Sequence, residues 1–272
     1  YFACVFVLCI SNIVVVVGEL IVTSESWVDI QQNTTVTCYA TMAQPLDLNW
    51  RKGPLDGPED VSQAILFYDT IAVNDLVTWS DTIDRTHFLF DETSAEFPLT
   101  ILSVTLEDEG RYWCGVTDDV TFSLSSKQTE IRIRVPPTTM TITHQGISYI
   151  NGDSISVLAG DVRQFTCNVP GIKPAASFTW TIEGATLMPT GSPQSSENQG
   201  DSRLVDSSDT EAVDIAMSPG TQMLSCGATN RQDGLTDAEV TVTVTVQVKV
   251  PPSASSMTLL GSTGALAPDA TG

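Results

Sequence analysis

The chain has 272 residues and carries 12 Lys and Arg against 33 Asp and Glu, a formal net charge of −21. That excess excludes a general nucleic-acid or anionic-membrane binder, because both need a basic surface to release counterions or meet phosphate headgroups. Hydrophobic residues at 42% and charged residues at 17% exclude a disordered acidic tail and leave room for one large or two smaller cores.

Residues 1–17 carry no charge and read as the apolar region of a secretory signal. Gly18 is a small residue suited to cleavage, so 1–18 is expected to be a signal peptide truncated at its start. The competing reading, a membrane helix, sits at the short limit for spanning. Cys4 and Cys9 would leave with the signal, and Cys38, Cys114, Cys167 and Cys226 remain. In an oxidising compartment these four form two disulfides rather than a metal site or redox centre, and no two have Cys-x-x-Cys spacing. Three pairings are open at this point.

Strands are predicted at 34–39, 46–51, 65–68, 97–103, 110–116 and 130–135, the last alternating as Glu-Ile-Arg-Ile-Arg-Val. Further strands are predicted at 162–168, 177–182, 212–216, 222–228 and 241–250. The last of these, TVTVTVQVKV, puts valine on one face without a break. No stretch shows sustained helical periodicity. A basic residue followed by Val-Pro-Pro opens at Arg134 and again at Lys249, 115 residues later. Pro-Pro cannot continue a central strand, so each copy marks a domain end. The division is 19–135, then 136–250, with 251–272 as a linker or the start of a truncated third unit.

Each unit contains the same succession. Cys38 is followed by Trp50 and then by Asp108-Glu109-Gly110-Arg111-Tyr112-Trp113-Cys114; Cys167 is followed by Trp180 and then Cys226. A disulfide between two sheets with a Trp against it fills the centre of a sandwich, and inward residues must share parity along a strand. Val36 with Cys38, Leu48 with Trp50, and Tyr112 with Cys114 satisfy that parity. The repeat therefore pairs Cys38 with Cys114 and Cys167 with Cys226.

Between Glu19 and Val250 the chain resembles the immunoglobulin superfamily, most specifically in the Asp-x-Gly-x-Tyr-x-Cys run at 108–114, which encodes a tyrosine corner. The resemblance implies an all-β protein of two tandem immunoglobulin-like Greek-key sandwiches. The first is variable-type, because the interval after Trp50 leaves space for extra strands. The family also implies a buried ion pair between Asp108 and an Arg opening strand D, here Arg85. The second unit has Leu224 and Gly220 at the corner positions and reads as constant-like or intermediate. Its Val135-Pro136-Pro137, 171–176 run and Trp180 resemble nephrin-like and nectin-like adhesion molecules. The run 112–116 is similar to the F strand of polymeric-immunoglobulin-receptor-like immune receptors, without their additional short-range disulfide.

No nucleophile elbow, phosphate loop or His-Glu-x-x-His occurs, and the spaced ligands of a calcium loop are absent. No catalytic residue, metal or cofactor is expected. His87 and His144 fall in different domains and are expected on surface strands or loops. Asn33-Thr34-Thr35 is a glycosylation sequon. With Tyr112, Cys114 and Trp50 inward, Asn49, Arg51, Arg111 and Trp113 should face out of the sheet formed by strands G, F, C and C-prime. An outward Trp beside Arg has the composition of an interface hot spot; the plainer reading puts Trp113 under a loop of its own domain. Tyr68 and Phe122 would extend the patch.

The expected function is a non-enzymatic receptor or adhesion ectodomain, held at the cell surface by a segment absent from this chain. Its partner would be another immunoglobulin-like surface protein, homophilic or heterophilic. The alternative is a soluble secreted defence molecule that binds a microbial surface or small ligand. With 7 basic against 20 acidic residues between Glu19 and Pro137, self-association through the first unit is costly. A basic or calcium-bridged partner therefore stands beside homophilic pairing.

Overall fold

Alternating inward side chains build both units as strands, and the computed structural model describes residues 9–10, 13–14, 20–40, 45–59, 63–69, 76–94, 96–118 and 124–250. Gly18, Phe122 and the segment 251–272 lie outside the described residues. Within 1–18, β1 (Cys9–Ile10) and β2 (Ile13–Val14) form a short antiparallel pair.

The first sandwich comprises β3 (Leu20–Thr23), β4 (Trp27–Asp29), β5 (Thr34–Ala40), β6 (Pro45–Gly53) and β7 (Gln63–Asp69). It continues with β8 (Leu76–Trp79), β9 (Phe88–Phe90), β10 (Leu99–Ile101), β11 (Gly110–Asp118) and β12 (Leu124–Arg134). One sheet has the order β3-β5-β10-β9; the other is β4-β12-β11-β6-β7-β8, with β4 parallel to β12. The extra strands expected after Trp50 are β7 and β8. Between the sheets the Cys38–Cys114 disulfide lies with Trp50, Tyr112, Leu48, Val36 and Ile131, all fully buried.

The second sandwich comprises β13 (Thr141–His144), β14 (Ile147–Tyr149), β15 (Ser154–Leu158), β16 (Val162–Ile172) and β17 (Ser177–Ile182). The remaining strands are β18 (Ala185–Thr186), β19 (Gln194–Glu197), β20 (Val205–Asp214), β21 (Gly220–Thr229) and β22 (Glu239–Lys249). Its sheets are β14-β13-β16-β20-β19 and β15-β22-β21-β17-β18. The Cys167–Cys226 disulfide shares the core with Trp180, Leu224 and the valines of β22.

Some strands run against the apolar signal. β20 is longer than the 212–216 expectation, because its inward positions Ser207, Asp209 and Glu211 are polar yet buried. Each has a hydrogen-bond partner from elsewhere in the domain. Ser207 Oγ accepts the Ala176 amide at 3.2 Å, Asp209 accepts the Trp180 indole N–H at 2.9 Å, and Glu211 accepts the Thr190 amide at 2.8 Å and its hydroxyl at 2.6 Å. A hydrogen-bonded carboxylate can take an inward position that alternation reserves for an apolar residue. His144 corrects the surface expectation in the same way. It is buried, donates from Nδ1 to the Gln164 carbonyl at 3.0 Å and stacks on Phe165 at 4.7 Å.

The Val-Pro-Pro junction is braced from both sides. Val135 bridges to Lys173, and the Asn230 amide donates to the carbonyls of both at 2.8 and 3.0 Å. Buried Arg134 pairs bidentately with Asp29 at 2.6 and 2.8 Å and donates to the Thr236 carbonyl at 2.9 Å, while Lys173 pairs with Glu109.

Candidate recognition face

The corner that precedes β11 sets the frame of the face. Thr105 and Asp108 cap a 3-10 turn at Leu106–Asp108, with the Thr105 amide donating to Asp108 Oδ2 at 2.7 Å. The Tyr112 hydroxyl donates to the Asp108 carbonyl at 2.8 Å. Burial, and then the neighbouring Asp108 charge, push the Tyr112 phenol well above its ordinary value. Lys52 lies over the Tyr112 ring at 5.9 Å, and desolvation lowers its ammonium pKa against the pull of Asp108 and Glu107.

The ion-pair assignment to Arg85 is corrected here. Arg85 is exposed, and the partner of Asp108 is His87, whose Nε2 lies 2.9 Å from Oδ1. Two residues further along the chain, the backbone has turned inward at Phe88, which brings an imidazole rather than a guanidinium to the corner. His87→Ala is expected to cost about 1–2 kcal/mol, since it strips a partner from a buried carboxylate, while Arg85→Ala stays within about 0.5 kcal/mol. Urea unfolding of the two variants checks the difference.

The outward face of the larger sheet has a regular grid. Across β12, β11 and β6 the register aligns Glu130 with Arg111, Gln128 with Trp113 and Arg51, and Ser126 with Gly115 and Asn49. The next row aligns Leu124, Thr117, Asp47 and Asp69, and Asn49 lies opposite Phe67 on β7. A Cβ on Gly115 would fall 2.7 Å from Asn49 Oδ1, so the absence of a side chain there is what lets Asn49 lie across the sheet.

One end of this grid is covered. Trp113 faces away from the central core yet is only 3% exposed. Segment 54–59 crosses it: Glu59 pairs with Arg51 and accepts the Ser126 hydroxyl at 2.9 Å, and the Gly57 carbonyl accepts from Arg111 at 3.3 Å. Those contacts surround Trp113, which corrects the hot-spot reading: this Trp anchors its own domain's loop. Arg51 and Arg111 are neutralised as well, the latter by Glu130 at 3.2 Å, and Asn49 accepts Arg51 Nε at 3.0 Å.

Tyr68 is also corrected. It is buried against Phe90 and Phe97, with ring centroids at 5.6 and 6.0 Å. A register shift between Trp50 and Arg51 sets β7 so that Phe67, not Tyr68, points to solvent at 49% exposure. With Leu124, 61% exposed, it leaves the other end of the face open around a recess of about 570 Å³. Asp47, Asn49, Asp69 and Thr117 line the same recess. Sequence reasoning missed Phe67 and Leu124, although parity counted back two residues from Asp69 and from Ser126 marks both as outward once register is known. Asn33 is exposed before β5 on the opposite sheet, its Oδ1 accepting the Ser103 amide at 2.8 Å.

Residues 21–136 match the immunoglobulin V-set domain model. Human Kin of IRRE-like protein 3 is 31% identical over 94 residues, which is 35% of this chain and 11% of that protein. Rat Cell adhesion molecule 2 is 26% identical over 173 residues, 61% of this chain and 34% of that protein. The chain thus spans about a third of one of these relatives and about a tenth of the other. Among solved structures, Rst D1-D2 superposes with a TM-score of 0.63 at 19% identity, covering 85% of this chain and 99% of that one. Bovine butyrophilin gives 0.57 at 16% identity, covering 83% and 98%. The two tandem sandwiches, the corner and the V-set match define a class of extracellular recognition domain that is not enzymatic. Residues 21–136 are thus a domain of the immunoglobulin V-set type, and the chain as a whole is similar to cell-surface adhesion proteins of the immunoglobulin superfamily.

Proposed function

We propose that this chain is the recognition part of an adhesion or receptor ectodomain, and that it binds an immunoglobulin-like protein partner through the open end of the β12, β11, β6 and β7 face. The observation that carries the reading is the pair Phe67 and Leu124, large apolar side chains 49% and 61% exposed on adjacent rows of the sheet, beside the polar Asn49 and Thr117. Exposed apolar groups in a polar rim have the anatomy of a protein interface. The likeness to Cell adhesion molecule 2 supports the assignment to adhesion, and the two disulfides support passage through the secretory pathway to the cell surface. A glycan on Asn33 would leave this face clear, because Asn33 precedes β5 of the other sheet.

Binding of the labelled chain to an array of immunoglobulin-like ectodomains is expected to weaken at least ~10-fold for Phe67→Asp and Leu124→Asp, with Tm unchanged. Undiminished binding by both variants, or an equal loss from a substitution such as Tyr39→Asp on the opposite sheet, would reject this face.

A further inference from the structure

The second unit holds a recess of about 300 Å³ beside the segment 187–193, which links β18 to β19. Its walls are Phe178, Trp180, Leu187 and Met188, and its lining includes two carboxylates, Asp209 and Glu211, only 6% and 1% exposed. The segment is tied down from within, because Thr190 donates its amide and its hydroxyl to Glu211. At the rim Met188 is 84% exposed, an apolar side chain left in water at the mouth of a largely apolar recess. Apolar walls with a few convergent polar groups are the anatomy of a ligand site.

The two carboxylates are hydrogen-bonded but not neutralised. Their donors, the Trp180 indole and Thr190, carry no charge. The basic side chains of the second unit are all placed elsewhere. Arg163 pairs with Asp161, Lys173 with Glu109, Arg203 with Asp201 and Glu107, and Arg231 with Asp237, while Lys249 ends β22 in the opposite sheet. His144 is engaged by the Gln164 carbonyl. Hydrogen bonds satisfy the lone pairs of a buried carboxylate, but the cost of taking its charge out of water is offset chiefly by an opposite charge. Asp209 and Glu211 share parity along β20, so their fields add in the recess.

We infer that this recess is a binding site for an alkylammonium group, supplied by a lysine side chain of a partner protein. The stem lies along the apolar walls, and the ammonium reaches Asp209 and Glu211 beside the aromatic rings of Phe178 and Trp180, which favour a cation. Arginine fits less well. Oδ2 of Asp209 already accepts the indole and both oxygens of Glu211 accept from Thr190, which leaves neither carboxylate clear for a guanidinium fork, whereas a compact ammonium turns its donors independently. The exposed Met188 at the mouth gives a protein surface, rather than a free amine, something to bury. The site is on the second unit and is independent of the proposed face of the first.

The whole chain, isotope-labelled, is titrated and read at the Trp180 indole N–H resonance, which Trp180→Phe assigns. Pentylammonium is expected to shift that resonance saturably, with pentanol binding at least ~10-fold more weakly. A short peptide with one lysine between two leucines is expected to bind more tightly than pentylammonium, and to lose at least ~10-fold when the lysine is acetylated, which keeps the reach and removes the charge. Asp209→Asn is expected to weaken both ligands at least ~10-fold, with its melting transition measured alongside. Met188→Ser, at an exposed position that leaves the fold intact, should weaken the peptide by ~3-fold or more and pentylammonium by less than ~2-fold, so the inference is decided even where Asp209→Asn fails to fold. Phe67→Asp should leave both titrations unchanged, which separates failure of this site from failure of the face. No saturable shift, or equal binding of pentanol, overturns the inference. An arginine peptide that matches the lysine peptide overturns the choice of ammonium, and binding of pentylammonium without binding of the peptide overturns the protein source.

Discussion

Replacing Cys38 and Cys114 together by Ala is expected to destabilise the first domain by about 4 kcal/mol, because the bond closes a 76-residue separation and constrains the unfolded chain. The loss falls on the element that positions everything else in the domain. Cys38 joins β5 of one sheet to β11 of the other, and Trp50 on β6 is fully buried beside it, with its indole donating to the Phe97 carbonyl at 3.3 Å. Without the bond the sheets are held by burial alone, and since small domains are stable by only about 5–15 kcal/mol, the first domain should be largely unfolded well below the transition of the second. Two separate transitions in a guanidinium titration, with the earlier one shifted in the double variant, is the expected record. A single unshifted transition would show that the bond contributes nothing beyond the core.

Trp113→Ala is expected to cost about 3–5 kcal/mol in stability, the range for truncating a buried aromatic. The side chain is 3% exposed beneath segment 54–59, so its removal leaves a cavity under a loop held at three points on its rim. Loosening that loop frees Arg51 and Arg111 from their bonds to Glu59 and to the Gly57 carbonyl. The contrast with Phe67→Ala is the diagnostic: Phe67 is 49% exposed and its loss should lower partner binding while moving stability by about 1 kcal/mol or less. Hydrogen exchange should show faster exchange in 54–59 for Trp113→Ala and none of that for Phe67→Ala. A stable Trp113→Ala with impaired binding would restore this Trp to the interface.

Much of the architecture is legible in local pattern. Alternation at 34–39 and 110–116 and in the valine run of β22 reads directly as half-buried strands, and the recurrent Cys-Trp-Cys spacing places both disulfides. The strands that escape notice are those whose inward side chains are not apolar. The stretch 205–211 carries Ser207, Asp209 and Glu211 toward the core, and only the indole of Trp180 and the Thr190 segment, distant in sequence, make those positions acceptable. Likewise 124–129 shows no apolar alternation, and it becomes part of β12 through its ladder to β11.

The candidate face divides the same way. Parity correctly turns Trp113, Arg111, Arg51 and Asn49 away from the central core, because side-chain direction along a strand has period two and needs no knowledge of neighbours. Parity cannot say what lies on top. Whether an outward Trp meets solvent depends on where a loop of unpatterned sequence, Pro54 to Glu59, happens to land, and three side-chain contacts from separate strands decide it. The inward turn of Tyr68 and outward turn of Phe67 rest on a register shift that reverses every side chain beyond it. Fold class, disulfides and acidic character were thus determined by the sequence itself, since each is a matter of spacing or count. The partner of Asp108, the cover over Trp113 and the open end at Phe67 and Leu124 were decided by tertiary structure, because each depends on which strand or loop lies next to a residue rather than on the residue's own neighbours in the chain.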